Sequence, residues 1–334
     1  MTKAPRICII GAGAVGGLMA AGLAQAGAAV SVLARGETLA AIHRDGLIAR
    51  AEGRTITGPV NASADPAKLG PQDYVVLAVK APSLPAVAPA LEVLMGADGI
   101  AVSAMNGVPW WFGAGLPALE HHSLPAIEQG GVLGRIAPAS RSIGCVVHYA
   151  ARIGSPGVID HSRGWDLILG EAAGGAPGDR VARLADWLVR AGFSVEQSAR
   201  IHHDVWFKLW GNMSMNPISM LTTATADRIT GDPLVEGLCR RMMEEAGRVG
   251  DAIGLHVESS IDERMDFAHK LGAFKTSMLQ DAERGTPVEI DALVTVVHQI
   301  GRIVGVPTPF IDAVLGLSRL RGQSLGIYPA ASSA

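Results

Sequence analysis

The sequence has few of the residues that mark several classes of protein. Its three cysteines, Cys8, Cys145 and Cys239, are too few and too scattered for a disulfide framework or a C-x-x-C metal site. The 28 lysines and arginines do not outnumber the 31 aspartates and glutamates, and the formal charge of -3 offers no basic surface for nucleic acid or a membrane. We therefore expect a small molecule or another protein as the partner. The low cysteine content fits a reducing cytoplasm.

Charged residues are also sparse, at 18%, but hydrophobic residues reach 49%, which argues against a disordered chain. At roughly 150 residues per domain, the 334 residues suggest two domains. Residues 7–34 carry no charge and by length alone could pass for a membrane span. Because this run contains six glycines, a strand, a tight turn and a helix of small residues explain it better. No secretory leader is expected.

Short apolar runs separated by turn signals predict the α/β class. Four of them are expected to be parallel strands: residues 7–10, 30–33, 74–79 and 100–104. Three later pieces are expected to extend the sheet as antiparallel strands: residues 145–150, 157–161 and 166–169. Beyond residue 198 only helical segments appear. We predict an N-terminal Rossmann-type dinucleotide-binding domain, residues 1–197, and an all-helical C-terminal domain, residues 198–334.

A glycine-rich turn follows the first predicted strand and opens a helix. Its residues match G-x-G-x-x-G: Gly11, Ala12, Gly13, Ala14, Val15 and Gly16. Glycines allow a tight turn and a close backbone approach, while the helix N-terminus presents free N–H groups to a pyrophosphate. The strand and helix around the motif favour dinucleotide binding over glycines that only pack a helix on a sheet.

The end of the second predicted strand should distinguish the two nicotinamide cofactors. An arginine there suits the 2′-phosphate of NADPH, whereas an acid suits the 2′-hydroxyl of NADH. Arg35 stands at the strand end and Gly36 leaves room beside it, so we predict NADPH. The alternative is that Arg35 is a solvated charge and that Glu37 serves NAD.

Two polar residues follow later predicted strands. Lys80 comes after residues 74–79, and Asn106 comes after residues 100–104. Because parallel sheets bind ligands beyond the carboxyl ends of their strands, both side chains are expected to face the cofactor crevice. Each also has a simpler interpretation, as a solvated lysine and as part of an Asn-Gly turn.

Lys208, Asn212 and Asn216 stand four residues apart in a segment that is otherwise apolar. On a helix they share one face over roughly 12 Å, at 1.5 Å per residue. A helix that is apolar on most sides is buried, so this stripe should face a cleft or a partner. A lysine beside a ketone could polarise it and donate a proton. The alternative is an interdomain helix whose amides bond to neighbouring backbone.

A second polar segment carries Ser277, Asp281 and Glu289 around a Gly-Thr-Pro break. Residues 286–289 read as a capping box with Pro287 at the first helical position, which gives Glu289 a purely structural role. Spacing alone does not decide between that role and a site role. No metal is expected, because His121-His122 and His202-His203 lack the spacing of metal sites. The aromatic cluster at residues 110–112 is expected to pack in a core or at a domain interface.

Five of these features, in this order, resemble the ketopantoate reductases, also called 2-dehydropantoate 2-reductases. The resemblance runs nearly end to end. It rests on GAGAVGG from residue 11, AVKAP from residue 78, MNGVP from residue 105, KLWGNMSMNP from residue 208 and SMLQDAERGTPVEID from residue 277. The family has a Rossmann domain and a helical domain with the active site between them. Its members reduce 2-dehydropantoate with NADPH in pantothenate biosynthesis.

The resemblance implies roles at matching positions. Lys208 resembles the general acid, and Glu289 resembles the active-site glutamate. Asn212 and Asn216 match substrate-binding asparagines, and Ser277 matches the serine that contacts the substrate carboxylate. Lys80 and Asn106 match positions in the cofactor crevice, and Asn106 also matches a substrate-binding position. The family's use of NADPH agrees with Arg35, and a homodimer is possible.

Other positions depart from the family. Residues 224–226 read Ala-Thr-Ala where a further asparagine is usual, Phe274 replaces a polar residue, and residues 292–297 lack an Asn-Gly. These changes remove possible contacts to substrate hydroxyls. A reductase of another small 2-oxo acid is therefore the first alternative to a ketopantoate reductase. A non-catalytic NADPH-binding regulator is the second, and the presence of both Lys208 and Glu289 argues against it.

Overall fold

The computed structural model describes residues 4–329. Residues 4–105 and 131–201 form one compact unit, and residues 106–130 and 202–329 form a second. The segment 106–130 thus groups with the C-terminal helices, a grouping that was not predicted. The predicted boundary after residue 197 stays a prediction.

Ten strands of the described part of the chain belong to one sheet. They are β1 (Arg6–Ile10), β2 (Ala29–Leu33), β3 (Ile48–Ala51), β4 (Arg54–Thr57), β5 (Val60–Ser63), β6 (Tyr74–Leu77), β7 (Ile100–Ser103), β8 (Ser142–Ser155), β9 (Val158–Glu171) and β10 (Ser194–Gln197). The order β5-β2-β1-β6-β7-β8 is entirely parallel. Numbered among themselves these six strands run 3-2-1-4-5-6, which is the doubly wound order of dinucleotide-binding folds.

Between residues 4 and 329, thirteen α-helices accompany the sheet. They are α1 (Ala14–Gln25), α2 (Gly36–Asp45), α3 (Pro66–Leu69), α4 (Leu84–Met95), α5 (Val132–Ile136), α6 (Asp179–Arg190), α7 (Ile201–Thr222), α8 (Ala226–Gly231), α9 (Pro233–Ala252), α10 (Ile261–Lys270), α11 (Ser277–Glu283), α12 (Val296–Val304) and α13 (Pro309–Ser324). Short 3₁₀ turns lie at Ala81–Ser83, Gln129–Gly131 and Ala139–Arg141, and a π-helical segment at Asp291–Thr295 leads into α12. Among residues 4–329, no helix combines the length and apolar composition needed to cross a membrane.

The uncharged N-terminal run forms β1, the glycine-rich turn, α1 and β2, as predicted. Helix α1 lies close to the sheet because its residues are small. A Cβ added at Gly17 would come within 2.6 Å of Ile159, and one at Gly22 within 2.9 Å of the Ala191 carbonyl oxygen. The central strands are apolar and buried, which is typical of a parallel sheet covered on both faces.

The antiparallel extension is confirmed, with one correction to its division. The three predicted pieces form two long strands, because residues 158–161 and 166–169 belong to the single strand β9, while Gly157 lies in the turn before it. Strands β8 and β9 pair as a hairpin whose turn contains Gly157, with φ of 75°. Strand β6 ends at Leu77, two residues before the predicted end, and the short strands β3, β4, β5 and β10 were not predicted.

In the second unit the described residues form only helices and loops, as predicted for the region beyond residue 198. Helix α7 is buried along most of its length, and the Trp210 indole donates to the Met243 carbonyl of α9 at 2.7 Å. Glu245 of α9 is 1% exposed and accepts the backbone N–H groups of Phe310 and Ile311, at 3.0 and 2.9 Å. This carboxylate caps α13 across the unit, since the first N–H groups of a helix have no partner within it.

Candidate active site

The glycine-rich turn is shaped so that only glycine fits at two positions. Gly11 has φ of 102°, and a Cβ there would lie 2.8 Å from a Val79 methyl and 2.9 Å from the Ala78 carbonyl oxygen. A Cβ on Gly16 would overlap the carbonyl oxygen of Gly11. The turn thus brings the N-terminus of α1 close to the ends of β1 and β6, where doubly wound sheets bind ligands.

The N-terminus of α1 suits a phosphate. Gly13 is the N-cap residue, forms no side-chain cap, and has no acidic residue in the turn that follows. A Cβ added to it would meet nothing within 4 Å, so space lies open in front of the first N–H groups. Such a terminus favours negative charge through its unpaired N–H groups and the helix dipole. The residues at this turn therefore fit a dinucleotide.

Arg35 stands between β2 and α2, as the N-cap residue of α2. It is exposed, and its guanidinium makes no hydrogen bond or ion pair with any residue from 4 to 329. Gly36 beside it has φ of 58°, and Glu37 is exposed in the first turn of α2. The structure thus leaves Arg35 available for a phosphate while Glu37 remains nearby.

Lys80 lies three residues beyond β6 and is half-buried. It precedes the turn Ala81–Ser83, and its carbonyl oxygen accepts the Ser83 N–H at 2.8 Å. It lies beyond the carboxyl end of a central strand, and its place in a cofactor crevice stays a prediction.

Lys208 and Asn106 meet directly, although they lie 102 positions apart in the sequence. The Lys208 ammonium donates a hydrogen bond of 2.9 Å to the Asn106 Oδ1 atom. Lys208 is half-buried on α7, and Asn106 is half-buried in the loop after β7. The bond fixes the amide orientation, because an ammonium can only donate.

The loop that carries Asn106 is fixed by its next two residues. Gly107 has φ of 78° and lies against Ala292, whose carbonyl oxygen a Cβ at this position would overlap. The Val108 N–H donates to the same carbonyl oxygen at 2.9 Å. Asn-Gly is therefore more than a turn signal here, since the close approach to Ala292 requires glycine.

An aromatic cluster holds the same loop against α7. Phe112 stacks on Trp206 with ring centroids 6.0 Å apart, and the His202 ring meets the edge of Trp111 at 5.3 Å. All four side chains are at least 94% buried. Burial lowers the pKa of His202 from 6.5 to about 4, because the charged imidazolium would lose its hydration. The predicted packing role of residues 110–112 agrees with these contacts.

The two asparagines of the Lys208 stripe have amides with no hydrogen-bond partner among residues 4–329. Asn216 is only 6% exposed and Asn212 is half-buried. Their amide atoms are not among the fully buried atoms of the described residues, so both amides are accessible to a ligand. These amides follow Lys208 along one face of α7, as the spacing predicted.

Glu289 is 7% exposed and lies just before a helical turn, but the predicted capping box is wrong. Helical geometry starts only at Ile290, so Glu289 is not the third residue of a helix that begins at Pro287. The Thr286 hydroxyl donates to the Asp281 carbonyl at 3.2 Å. The turn after Glu289 is π-helical, a geometry that often occurs at functional sites.

The C-terminal segment ties down the turn that follows Glu289. The Val288 N–H donates to the Ile327 carbonyl at 3.3 Å, and the Tyr328 hydroxyl donates to Asp291 at 2.8 Å. Burial and this bond to a carboxylate raise the pKa of Tyr328 to about 12. The segment 288–292 is thus held from both sides, by the Asn106 loop and by the chain end.

Ser277 is the first residue of α11 and is exposed, and its hydroxyl forms no hydrogen bond with any described residue. The contacts of the structure therefore join the Asn106 loop to Lys208 and to residue 292, but they do not link Ser277 to this group. His202 was missed by sequence reasoning, which considered it only as a metal ligand. The aromatic triplet at residues 110–112 could have indicated its role, because large aromatic rings need a buried partner to pack against.

Two family profiles match nearly the whole chain. The profile described as ketopantoate reductase PanE/ApbA matches residues 7–174, and its C-terminal counterpart matches residues 200–322. A 2-dehydropantoate 2-reductase from Mesorhizobium japonicum is 44% identical over 97% of this chain and 99% of its own length.

Solved structures give the same result. The crystal structure of a protein assigned as a ketopantoate reductase from Ralstonia solanacearum MolK2 superimposes with a TM-score of 0.93 at 50% identity, covering 98% of this chain and all of the other. D-mandelate dehydrogenase, solved with NADH and anilino(oxo)acetate, superimposes with a TM-score of 0.80 at 20% identity, covering 96% of this chain and 99% of its own. That second likeness shows the fold alone.

Proposed function

The chain belongs to the ketopantoate reductase family, and from this premise we propose that it reduces 2-dehydropantoate (ketopantoate) to pantoate with NADPH. The observation that carries the proposal is the 2.9 Å hydrogen bond from Lys208 to Asn106, next to the unpaired amides of Asn212 and Asn216. One proton donor and a row of amides along a buried helix match a small ligand with a carbonyl and further oxygen atoms.

Lys208 is proposed as the general acid. Its ammonium would donate a hydrogen bond to the ketone oxygen and transfer the proton as that oxygen becomes an alkoxide. Asn106 accepts from the same ammonium and so directs its remaining N–H groups. NADPH, when bound, would supply the hydride that the ketone carbon receives.

The cofactor assignment depends on the N-terminal unit. The N–H groups that follow Gly13 suit the pyrophosphate, and the unpaired guanidinium of Arg35 suits a 2′-phosphate in bidentate fashion. Gly11, Ala12, Ala14, Val15 and Gly16 complete the cradle, and Lys80 is proposed to lie beside the cofactor.

The remaining roles follow from position. Asn212 and Asn216 are proposed to orient the substrate by hydrogen bonds to its oxygen atoms, and Ser277 to contact its carboxylate. Glu289 is proposed to act in the site as a carboxylate, which its burial just before a π-helical turn supports. A small 2-oxo acid is the proposed ligand, and a homodimer and a cytoplasmic location remain predictions.

The second candidate is a reductase of another small 2-oxo acid. It is favoured by Phe274, which stands where the resemblance implies a polar residue, and by residues 224–226, which lack the asparagine that the resemblance implies. To decide, NADPH oxidation would be followed with ketopantoate and with relatives that lack its hydroxyl, such as 3-methyl-2-oxobutanoate. We expect the highest kcat/KM with ketopantoate. If a relative gives an equal or higher kcat/KM, the proposal of a 2-oxo acid reductase is kept, but ketopantoate is no longer the proposed substrate.

A further inference from the structure

Arg264 of α10 lies against the helix that carries Lys208. A Cβ added at Gly211 would come within 2.6 Å of the Arg264 Cζ atom and would overlap its Nε and Nη2 atoms. All three of the nearest atoms belong to this guanidinium. The absence of a side chain at Gly211 therefore lets the guanidinium contact the α7 backbone.

Two aromatic rings fix the same guanidinium from the sides. The Cζ atom lies 5.3 Å from the ring centroid of Phe207 and 5.4 Å from that of Phe267, both within cation–π range. Burial lowers the pKa of Arg264 from its ordinary value. The cation is thus partly stripped of water, which strengthens its attraction for an anion.

No residue from 4 to 329 supplies that anion. The Arg264 guanidinium makes no ion pair and no hydrogen bond within the described chain. The acids beside it in the sequence bond elsewhere, because Asp262 accepts from Arg240 at 2.6 Å and Glu263 accepts the Ser260 N–H at 2.9 Å. A half-buried guanidinium that is held in place and has no carboxylate partner is a feature that calls for an external anion.

Its position relative to Lys208 indicates which anion. Gly211 follows Lys208 by three residues, which on a helix is about 4.5 Å along the axis and about 60° around it. In a 2-oxo acid the carboxylate carbon is bonded directly to the ketone carbon. A ligand whose ketone oxygen meets Lys208 can therefore direct its carboxylate toward the neighbouring guanidinium.

We propose that Arg264 binds the carboxylate of the 2-oxo acid substrate, with its guanidinium held against the Lys208 helix at Gly211 and between two phenylalanine rings. The inference rests on the proposed reduction of a 2-oxo acid and makes Arg264 its carboxylate-recognition residue. The guanidinium fork fits a carboxylate in bidentate fashion. A carboxylate accepts about four hydrogen bonds, so the Ser277 hydroxyl can donate to it as well.

Recognition by Arg264 also bears on the substrate class. Contacts to substrate hydroxyls are reduced in this chain, since Phe274 stands where the family has a polar residue. A guanidinium at the carboxylate places more of the recognition on the acid group that all 2-oxo acids share. The enzyme should therefore discriminate strongly between a 2-oxo acid and its uncharged ester.

The test measures binding by calorimetry at saturating NADP+, with ketopantoate as the acid and methyl 3-methyl-2-oxobutanoate as an uncharged ketone. Arg264→Met removes the charge, Arg264→Lys keeps it without the fork, and Gly211→Ala displaces the guanidinium while leaving it in the chain. Arg241→Met is the matched control, because it removes one positive charge from a surface pair with Glu244.

We expect Arg264→Met to bind ketopantoate on the order of tenfold to hundredfold more weakly, the usual effect of a lost charge-assisted hydrogen bond. Ketopantoate binding should weaken nearly as much in Gly211→Ala and by an intermediate factor in Arg264→Lys. It should not change in Arg241→Met. Ester binding and the Kd of NADPH should not change in any variant.

Unchanged ketopantoate binding in Arg264→Met would overturn the inference while leaving the proposed reaction intact. Equal losses for acid and ester would also overturn it, because they would show that Arg264 only shapes the helix surface. If the unaltered protein binds no 2-oxo acid, the proposed function fails first and this inference with it. Should Arg264→Met not fold, Gly211→Ala and Arg264→Lys decide by the same comparison.

Discussion

The two regions proposed to bind ligands are built in different ways. In the N-terminal unit, the proposed cofactor turn, residues 11–16, would act mainly through its backbone, because Gly11 and Gly16 leave no room for a side chain and space lies open at Gly13. In the helical unit, the groups around Lys208 come from segments far apart in the sequence, with Asn106 bonded to Lys208 and the Asn106 loop held on Ala292. The proposed cofactor region would bind through backbone groups, whereas the proposed substrate region would bind through side chains.

The difference determines how each region responds to substitution. A site built from backbone groups tolerates substitutions that keep its φ and ψ angles and its open space. It loses ligand binding when a substitution adds a Cβ atom in that space. A side-chain site loses function when one atom group is removed, although the fold survives.

The largest effect is expected from Lys208→Ala. Loss of the proton donor should lower kcat by about 10²- to 10⁴-fold, while NADPH binding stays near normal because the cofactor turn lies in the other unit. The measurement pairs steady-state turnover with a fluorescence titration of NADPH. Lys270→Ala, an exposed lysine at the end of α10, is the control and should behave like the unaltered enzyme. A full turnover rate in the Lys208 variant would exclude the proton-donor role.

The next effect concerns the packing that places Asn106 near Lys208. The pKa of His202 is about 4 in the folded protein, below its ordinary value of 6.5, so its stabilising contribution is complete above pH 6.5 and declines as the pH falls. Between these values the unfolded chain binds a proton that the folded chain does not. At roughly 1.4 kcal/mol per pH unit, the loss by pH 4 is about 3 kcal/mol.

Urea unfolding at several pH values would measure this loss. His202→Gln should be less stable at neutral pH but should lose less stability on acidification than the unaltered protein. His121→Gln, at an exposed histidine, should keep the full pH dependence. A constant difference between the His202 variant and the unaltered protein across pH 6.5 to 4 would refute the assignment.

These two predictions also separate what the sequence could reveal from what it could not. The G-x-G-x-x-G turn and the helix that carries Lys208 are local patterns, so spacing alone predicted the secondary structure found there. The bond between Lys208 and Asn106 joins distant segments, and no local pattern encodes it. The assignment of residues 106–130 to the helical unit has the same cause, since it depends on the contacts of Trp111 and Phe112 with α7.

Glu289 shows the limit of local rules most clearly. Its Thr-Pro-x-Glu context satisfied the capping signature, but the helix begins later because Thr286 bonds back to α11 and the Val288 N–H pairs with Ile327. The partner in α11 precedes the motif in the sequence, and Ile327 reaches it only through the tertiary fold, so a local rule includes neither. The division of residues 145–169 into three predicted strands was wrong for a similar reason. Polar residues suggested a gap between the last two strands, but the β8–β9 pairing continues through it.

A smaller effect is expected from Gly13→Ala in the cofactor turn. The added Cβ meets nothing within 4 Å in the protein, so folding should be unaffected. It would occupy the space in front of the N–H groups, and crowding of about 1–3 kcal/mol should weaken NADPH binding roughly fivefold to 150-fold. Gly237→Ala, which also meets nothing within 4 Å, is the control and should leave the Kd of NADPH unchanged. Equal Kd values for both variants would show that the turn does not contact the cofactor.

The smallest effect, and the sharpest test of the contrast, is expected from Arg35→Ala, where a side chain rather than the backbone acts in the N-terminal unit. Removing an unpaired guanidinium should raise the KM for NADPH about tenfold while leaving the KM for NADH and the kcat nearly unchanged, because only NADPH has the 2′-phosphate. Glu37→Ala is the matched variant two positions away and should, if anything, improve the use of NADPH by removing a negative charge. If both cofactors suffer equally in Arg35→Ala, the 2′-phosphate assignment is wrong and Glu37 becomes the candidate for a ribose contact. A selective effect would show that the backbone turn binds what both cofactors share and that one side chain beside it chooses between them.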